Sequence, residues 1–167
     1  MVMKTTTGDI IKMAEEGKFD VIIHGCNCES LMKAGLSLQI KNAYPEVEQV
    51  DAPVNNPGDK LGGVTGVSLE DANGSGNVFT ILNGYTQLKA RGSVKGESLV
   101  DYDAVRSVFK TVAQNFSGQR IAYPKIGAGR AGGNWPVIQA IINEELQGMD
   151  HTLVLYQENP TAGTMNP

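Results

Sequence analysis

The sequence predicts an α/β domain, with helices on both faces of a mixed, mostly parallel central sheet of about six strands. Three observations carry this. The block Val21-Ile22-Ile23 is a run of bulky residues of the kind that forms a strand buried on both faces. Such blocks alternate with segments of helical periodicity, which is the pattern of strand–helix–strand units. One pair of strand-like segments is instead joined by Asn73-Gly74-Ser75-Gly76, which adds an antiparallel hairpin.

Taken in order, Met1 to Thr6 predicts an edge strand. Asp9 to Glu16 predicts a short helix, with Asp9 at its start, where a carboxylate suits the dipole. Val21 to Gly25 is the buried strand. Leu36, Ile40 and Ala43 recur at helical spacing, and Pro45 stops that helix. Asp51 to Gly63, with Pro53, Pro57 and paired glycines, reads as a loop. Val64 to Leu69 and Asn77 to Tyr85 are the hairpin strands. Gln87 to Ser98 is polar, contains glycine and reads as a mobile connection. Val105, Val108, Phe109, Val112 and Phe116 mark the apolar stripe of a helix starting near Asp101. Arg120 to Pro124 is a further strand. Asn134 is placed to cap the next helix, with Pro136 in its first turn and Ile138, Ile141, Ile142 and Leu146 facing inward. Thr152 to Tyr156 reads as a final buried strand. A single domain over 1–158 and a loose tail over 159–167 complete the expectation.

At 167 residues the chain has room for one core, burying about 70% of the unfolded surface. Its formal net charge is −4, from 14 basic and 18 acidic residues, with no basic run. That argues against a sequence-specific nucleic-acid binder and against a membrane-surface protein. No segment is apolar for long enough to span a bilayer. Cys26 and Cys28 lie too close together on one strand for an easy disulfide, so reduced thiols and a cytoplasmic location are expected. With His24 and His151 as the only histidines, no structural metal is expected. His151 is expected in a solvated polar turn.

Two strand ends carry the chemistry. His24-Gly25-Cys26-Asn27-Cys28 offers an imidazole and a carboxamide where a strand leaves the sheet, and ligands of open α/β sheets bind beyond such ends. Gly127-Ala128-Gly129-Arg130-Ala131-Gly132-Gly133 follows the later strand and suits close backbone approach to a phosphate. Gly127, Gly129 and Gly132 also match a dinucleotide fingerprint, but too little chain follows them for the usual βαβαβ half.

These stretches, in this order, resemble the macrodomain family of ADP-ribose-binding proteins. Gly8-Asp9-Ile10 resembles its motif after the first strand. Ile23 to Cys28, continuing through Ala34-Gly35-Leu36-Ser37 to Ala43-Tyr44-Pro45, resembles its first ligand loop. Asn83 to Gln87 and Asp101-Tyr102 match stretches of small microbial and viral members. Pro124 to Gly129 with Gly132-Gly133-Asn134-Trp135 resembles the second ligand loop, and Tyr156 ends the last strand as an aromatic does in the family. The nearest branch is the small ADP-ribose-1''-phosphate phosphatases, which share the Ile-His-x-Cys-Asn-Cys run.

The resemblance implies a site. Asp9 would accept from the adenine amino group, the Ile10 N–H would meet a ring nitrogen and Tyr156 would stack on the base. The N–H groups of Gly127, Ala128, Gly129, Arg130, Ala131 and Gly132, with the helix start at Asn134, would hold the diphosphate. Asn27 would hydrogen-bond the distal ribose, with Gly35 and Leu36 also in the ligand loop and Lys33 placed either to block a protein-linked substrate or to bind a terminal phosphate, and His24 with Asn27 would be catalytic. No cofactor is implied, and a monomer acting on ADP-ribose or a phosphorylated or linked derivative is expected. Departures qualify this. Met32-Lys33-Ala34-Gly35 stands where the family has consecutive glycines, and Asn134 stands where relatives carry an aspartate. Gln87 and Ala131 replace the lysine and aspartate of deacylating relatives. A non-catalytic nucleotide-binding module and a hydrolase of ADP-ribose linked to proteins or nucleic acid are the alternatives.

Overall fold

The computed structural model describes residues 3–92 and 96–157. The tail expected over 159–167 lies outside them, as does the middle of the segment 87–98. In chain order the elements are β1 (Lys4–Gly8), α1 (Ile10–Glu15), β2 (Val21–Asn27), α2 (Gly35–Ala43), α3 (Glu46–Gln49), a 3-10 turn (Pro57–Lys60), β3 (Val64–Glu70) and β4 (Val78–Gln87). There follow α4 (Tyr102–Asn115), β5 (Ile121–Tyr123), α5 (Trp135–Glu145) and β6 (His151–Tyr156). The six strands form one sheet in the order β1-β6-β5-β2-β4-β3. All neighbours pair in parallel except β3 and β4, the expected hairpin.

The sheet is covered on both faces because β2 is apolar on both. Val21 and Ile23 pack into one cluster with Val105, Val108, Phe109 and Val112 of α4 and Ile138 and Ile142 of α5. Ile22 and Cys26 pack into the other, with Ile10, Ile11 and Ala14 of α1, Ile40 of α2 and Val47 of α3. Each fully buried large aliphatic side chain stabilises the fold by about 1.5–3 kcal/mol, so both faces hold β2 at the centre. The two cysteines are free and buried.

Three expectations are corrected. His151 does not sit in a solvated turn. It opens β6 one residue before the apolar pattern does, in register with Ile121, and is fully buried. Its Nδ1 lies 2.6 Å from the Tyr123 hydroxyl. Burial lowers its pKa and raises that of Tyr123. Asn134 stands at the start of α5, but its side chain makes no capping bond. Pro136, in the first turn, removes one of the N–H groups such a cap accepts from. The Asn134 N–H instead donates to the Tyr102 hydroxyl at 3.0 Å. Finally, β6 is buried only from His151 to Val154. Leu155 and Tyr156 are exposed at its C-terminal end.

Candidate functional site

The parallel strands bring their C-terminal ends to one edge of the sheet. There a cavity of about 610 Å³ opens between the chain after β2 and the loop after β5. His24, Asn27, Lys33, Gly35 and Leu36 line it from the first side, and Gly127, Gly129, Arg130 and Ala131 from the second. Ser37, Gln87, Lys89, Arg91 and Lys125 also line it. Five cationic side chains thus face one cavity in a chain of net charge −4. Glu29 also lines it, and its Oε1 accepts from the Ala90 N–H at 2.6 Å. Such a local positive field attracts an anion whatever the net charge.

The first wall is held by side chains. Asn27 Oδ1 accepts from the N–H of Glu29 and Leu31 at 3.1 and 3.2 Å, and its Nδ2 donates to the Leu31 carbonyl at 2.9 Å. The side chain expected on the ribose therefore ties its own loop. Within that loop Ser30 has φ +60, unusual for a residue with a side chain. Its Oγ accepts from Lys60 Nζ at 2.8 Å, and Lys60 also pairs with Asp51 at 2.7 Å. This pair is buried, with side-chain exposures of 8% and 1%. Tyr85 donates to the same Asp51 oxygen, and its ring centroid lies 4.6 Å from Lys60 Nζ. Burial raises the Tyr85 pKa. An expected loop thus contains the most buried ion pair of the described residues.

His24 sits beneath the cavity at 2% exposure. Its Nε2 lies 2.5 Å from Asn83 Oδ1 and its Nδ1 lies 2.9 Å from Ser37 Oγ. Burial lowers its pKa to about 4, outweighing the hydrogen bond to Asn83, so the ring is neutral near pH 7. Cys26 packs its sulfur against the ring, and burial raises that thiol's pKa.

The second wall is held by backbone. Gly127 and Gly132 take φ +76 and +70. A Cβ on Gly127 would meet Val100 Cγ2 at 2.6 Å, and one on Gly133 would meet the Gly127 carbonyl at 2.5 Å. Packing and dihedrals explain these glycines. Neither explains Gly129, which lines the cavity with nothing within 4 Å of an added Cβ and no left-handed dihedral. Among the described residues the N–H groups of Ala128, Gly132 and Gly133 have backbone partners, whereas those of Gly127, Gly129, Arg130 and Ala131 have none.

Asp9, Ile10, Ala128, Gly132, Asn134 and Tyr156 do not line the cavity. Asp9 caps α1, its Oδ1 accepting from Ile11 and Lys12 at 3.1 and 3.2 Å. Tyr156 is 61% exposed and stands in register with Gly8, the residue before Asp9. Asp9 and Tyr156 therefore share the edge beside β5. From β1 to β2 is three strand spacings, about 14 Å. Ser37 and the cationic rim past β4 escaped the sequence reading. Ser37 was visible only as part of the matched loop, and Lys89 and Arg91 fall in a segment that read as a connection.

A six-stranded mixed sheet in this order, with its cavity beyond β2 and β5, defines a protein of macrodomain fold. The Thermus aquaticus DarG macrodomain matches with a TM-score of 0.67 at 20% identity, over 92% of this chain and 97% of that one. Thermosipho africanus DarTG, solved in complex with ADP-ribose, matches with a TM-score of 0.68 at 15% identity, over 91% of this chain and 41% of that one. No family model matches the chain. By sequence it is 30% identical over 145 residues to the uncharacterized 17.5 kDa protein of the tk-vs intergenic region of Enterobacteria phage T4, across 86% of this chain and 89% of that protein. The chain belongs to the family of that phage protein. Among the described residues no helix is long and apolar enough to cross a membrane.

Proposed function

We propose that the protein binds ADP-ribose along the C-terminal edge of its sheet and hydrolyses ADP-ribose 1''-phosphate to ADP-ribose and phosphate. The observation that carries this is the cationic cavity flanked by loop N–H groups that have no partner among the described residues, with Asp9 and Tyr156 on the same edge. Adenine would lie against Asp9, Ile10 and Tyr156. The diphosphate would meet the backbone from Gly127 to Gly132. The distal ribose and its phosphate would reach Asn27, Lys33, Gly35 and Leu36. The ADP-ribose bound to Thermosipho DarTG supports the ligand class.

A non-catalytic module is the second reading. It is favoured by Asn27, whose side chain is committed to its loop, and by His24, whose ring nitrogens both have protein partners. Phosphorus NMR of ADP-ribose 1''-phosphate mixed with the protein separates the two. Conversion of the monoester signal to free phosphate supports hydrolysis. Shifted diphosphate signals without product support the module, and unchanged spectra remove both readings.

A further inference from the structure

Asn83 fixes the protonation of the histidine beneath the cavity. It is fully buried on β4, and its Nδ2 donates to the Val47 carbonyl at 3.2 Å and to Thr65 Oγ1 at 3.1 Å. A carbonyl can only accept, so the amide nitrogen faces Val47 and the amide oxygen faces His24. His24 Nε2 must then carry the hydrogen, and Nδ1 must carry the lone pair. The partner of Nδ1 is Ser37 Oγ, so the serine O–H donates to the imidazole.

We propose that Ser37 is the nucleophile of this site, with His24 as its base and Asn83 as the residue that orients that base. Hydroxyl, imidazole and orienting group in this relation recur on unrelated folds and are recognised by geometry. Two further observations fit. Ser37 is half-buried and lines the cavity, whereas His24, which also lines it, is only 2% exposed, so the serine presents more of its side chain to a ligand. Ser37 also stands in the first turn of α2, whose preceding Ala34 has no side chain to occupy the N–H groups of that turn. Those groups face developing negative charge favourably. The neutrality of His24 near pH 7 keeps its lone pair available.

The assignment rests on the phosphate monoester reading for its substrate, and it supplies that reading with chemistry. Ser37 Oγ bonds to phosphorus as its proton passes to His24 Nδ1. The bond from phosphorus to the sugar oxygen breaks, and the departing oxygen takes the proton from Nδ1. Water then attacks the phosphoserine, giving a proton to Nδ1 and its oxygen to phosphorus. The bond from phosphorus to Oγ breaks, and Oγ recovers the proton. One water has been consumed, and ADP-ribose and phosphate have formed.

A fluorophosphonate probe reads the nucleophile without the natural substrate. The expected result is labelling at Ser37, located by peptide mass spectrometry, absent in Ser37→Ala and slowed in Asn83→Asp and His24→Gln. Ser37→Ala should lower turnover of ADP-ribose 1''-phosphate by roughly 10²–10⁴-fold while leaving ADP-ribose binding in place. Wild-type protein that stays unlabelled at Ser37 overturns the assignment, even if buried-residue variants fail to fold. Turnover that survives Ser37→Ala also overturns it and leaves the phosphatase reading intact. Labelling of Ser37 without any turnover of ADP-ribose 1''-phosphate does the reverse: the nucleophile stands and that substrate falls.

Discussion

The two walls of the cavity are built on opposite principles. The chain after β2 is braced by side chains: Asn27 ties residues 27–31, and the buried Lys60–Asp51 pair grips Ser30 from below. The loop after β5 is shaped by its backbone: left-handed dihedrals at Gly127 and Gly132 and close packing at Gly133 leave several N–H groups without a partner among the described residues. On the proposed function, the braced wall would place particular atoms for chemistry, and the glycine wall would offer a generic surface for an anion. A diphosphate is alike in many ligands and needs only donors, whereas the reacting end needs fixed groups.

The largest test of this contrast removes the brace. Lys60→Met leaves Asp51 buried without its cation, and breaking such a pair should cost about 3–5 kcal/mol in urea unfolding. A loss below about 1 kcal/mol, within the range of an exposed pair, would mean the first wall does not depend on it.

Next comes pH. In the unfolded chain His24 binds a proton near 6.5, but in the fold only near 4. Between those values the unfolded state holds more protons, so stability is complete above about pH 6.5 and falls as the solution is acidified towards pH 4. The loss approaches about 3 kcal/mol. His151, also lowered by burial, acts in the same direction. Urea midpoints that stay flat over this window would place the His24 ring in water.

The smallest effect on stability belongs to the glycine wall. Gly127→Ala meets Val100 in a left-handed conformation and should cost about 1–3 kcal/mol. Gly129→Ala should change stability by less than about 0.5 kcal/mol yet weaken ADP-ribose binding measured by calorimetry. Equal effects of the two substitutions on stability would break the distinction between packing glycines and ligand-facing ones.

The strand and helix order was legible because β2, α4 and α5 write their burial into local periodicity. The glycine loop was legible for the same reason, since φ demands are local. The partners of His24 were not. Asn83 lies on another strand and Ser37 on a helix that only the folded chain brings within 2.9 Å of Nδ1. Asp51 and Lys60 read as loop residues because their setting is polar in sequence. Their burial comes from Tyr85 on β4 and from Ser30. His151 failed by one residue of strand boundary, enough to move a side chain from solvent to core.

The pairing of β1 with β6 sets a timetable for the chain's birth. β1 is an edge strand whose sheet neighbour is β6, with Lys4 opposite Thr152. On a ribosome, β1 and the helix it leads into emerge long before β6, and every other strand and helix is made before that neighbour exists. Contacts this distant in sequence slow folding and leave a strand edge unsatisfied meanwhile. Lys4 and three consecutive threonines make that waiting strand polar, which keeps it from sticking to other nascent chains.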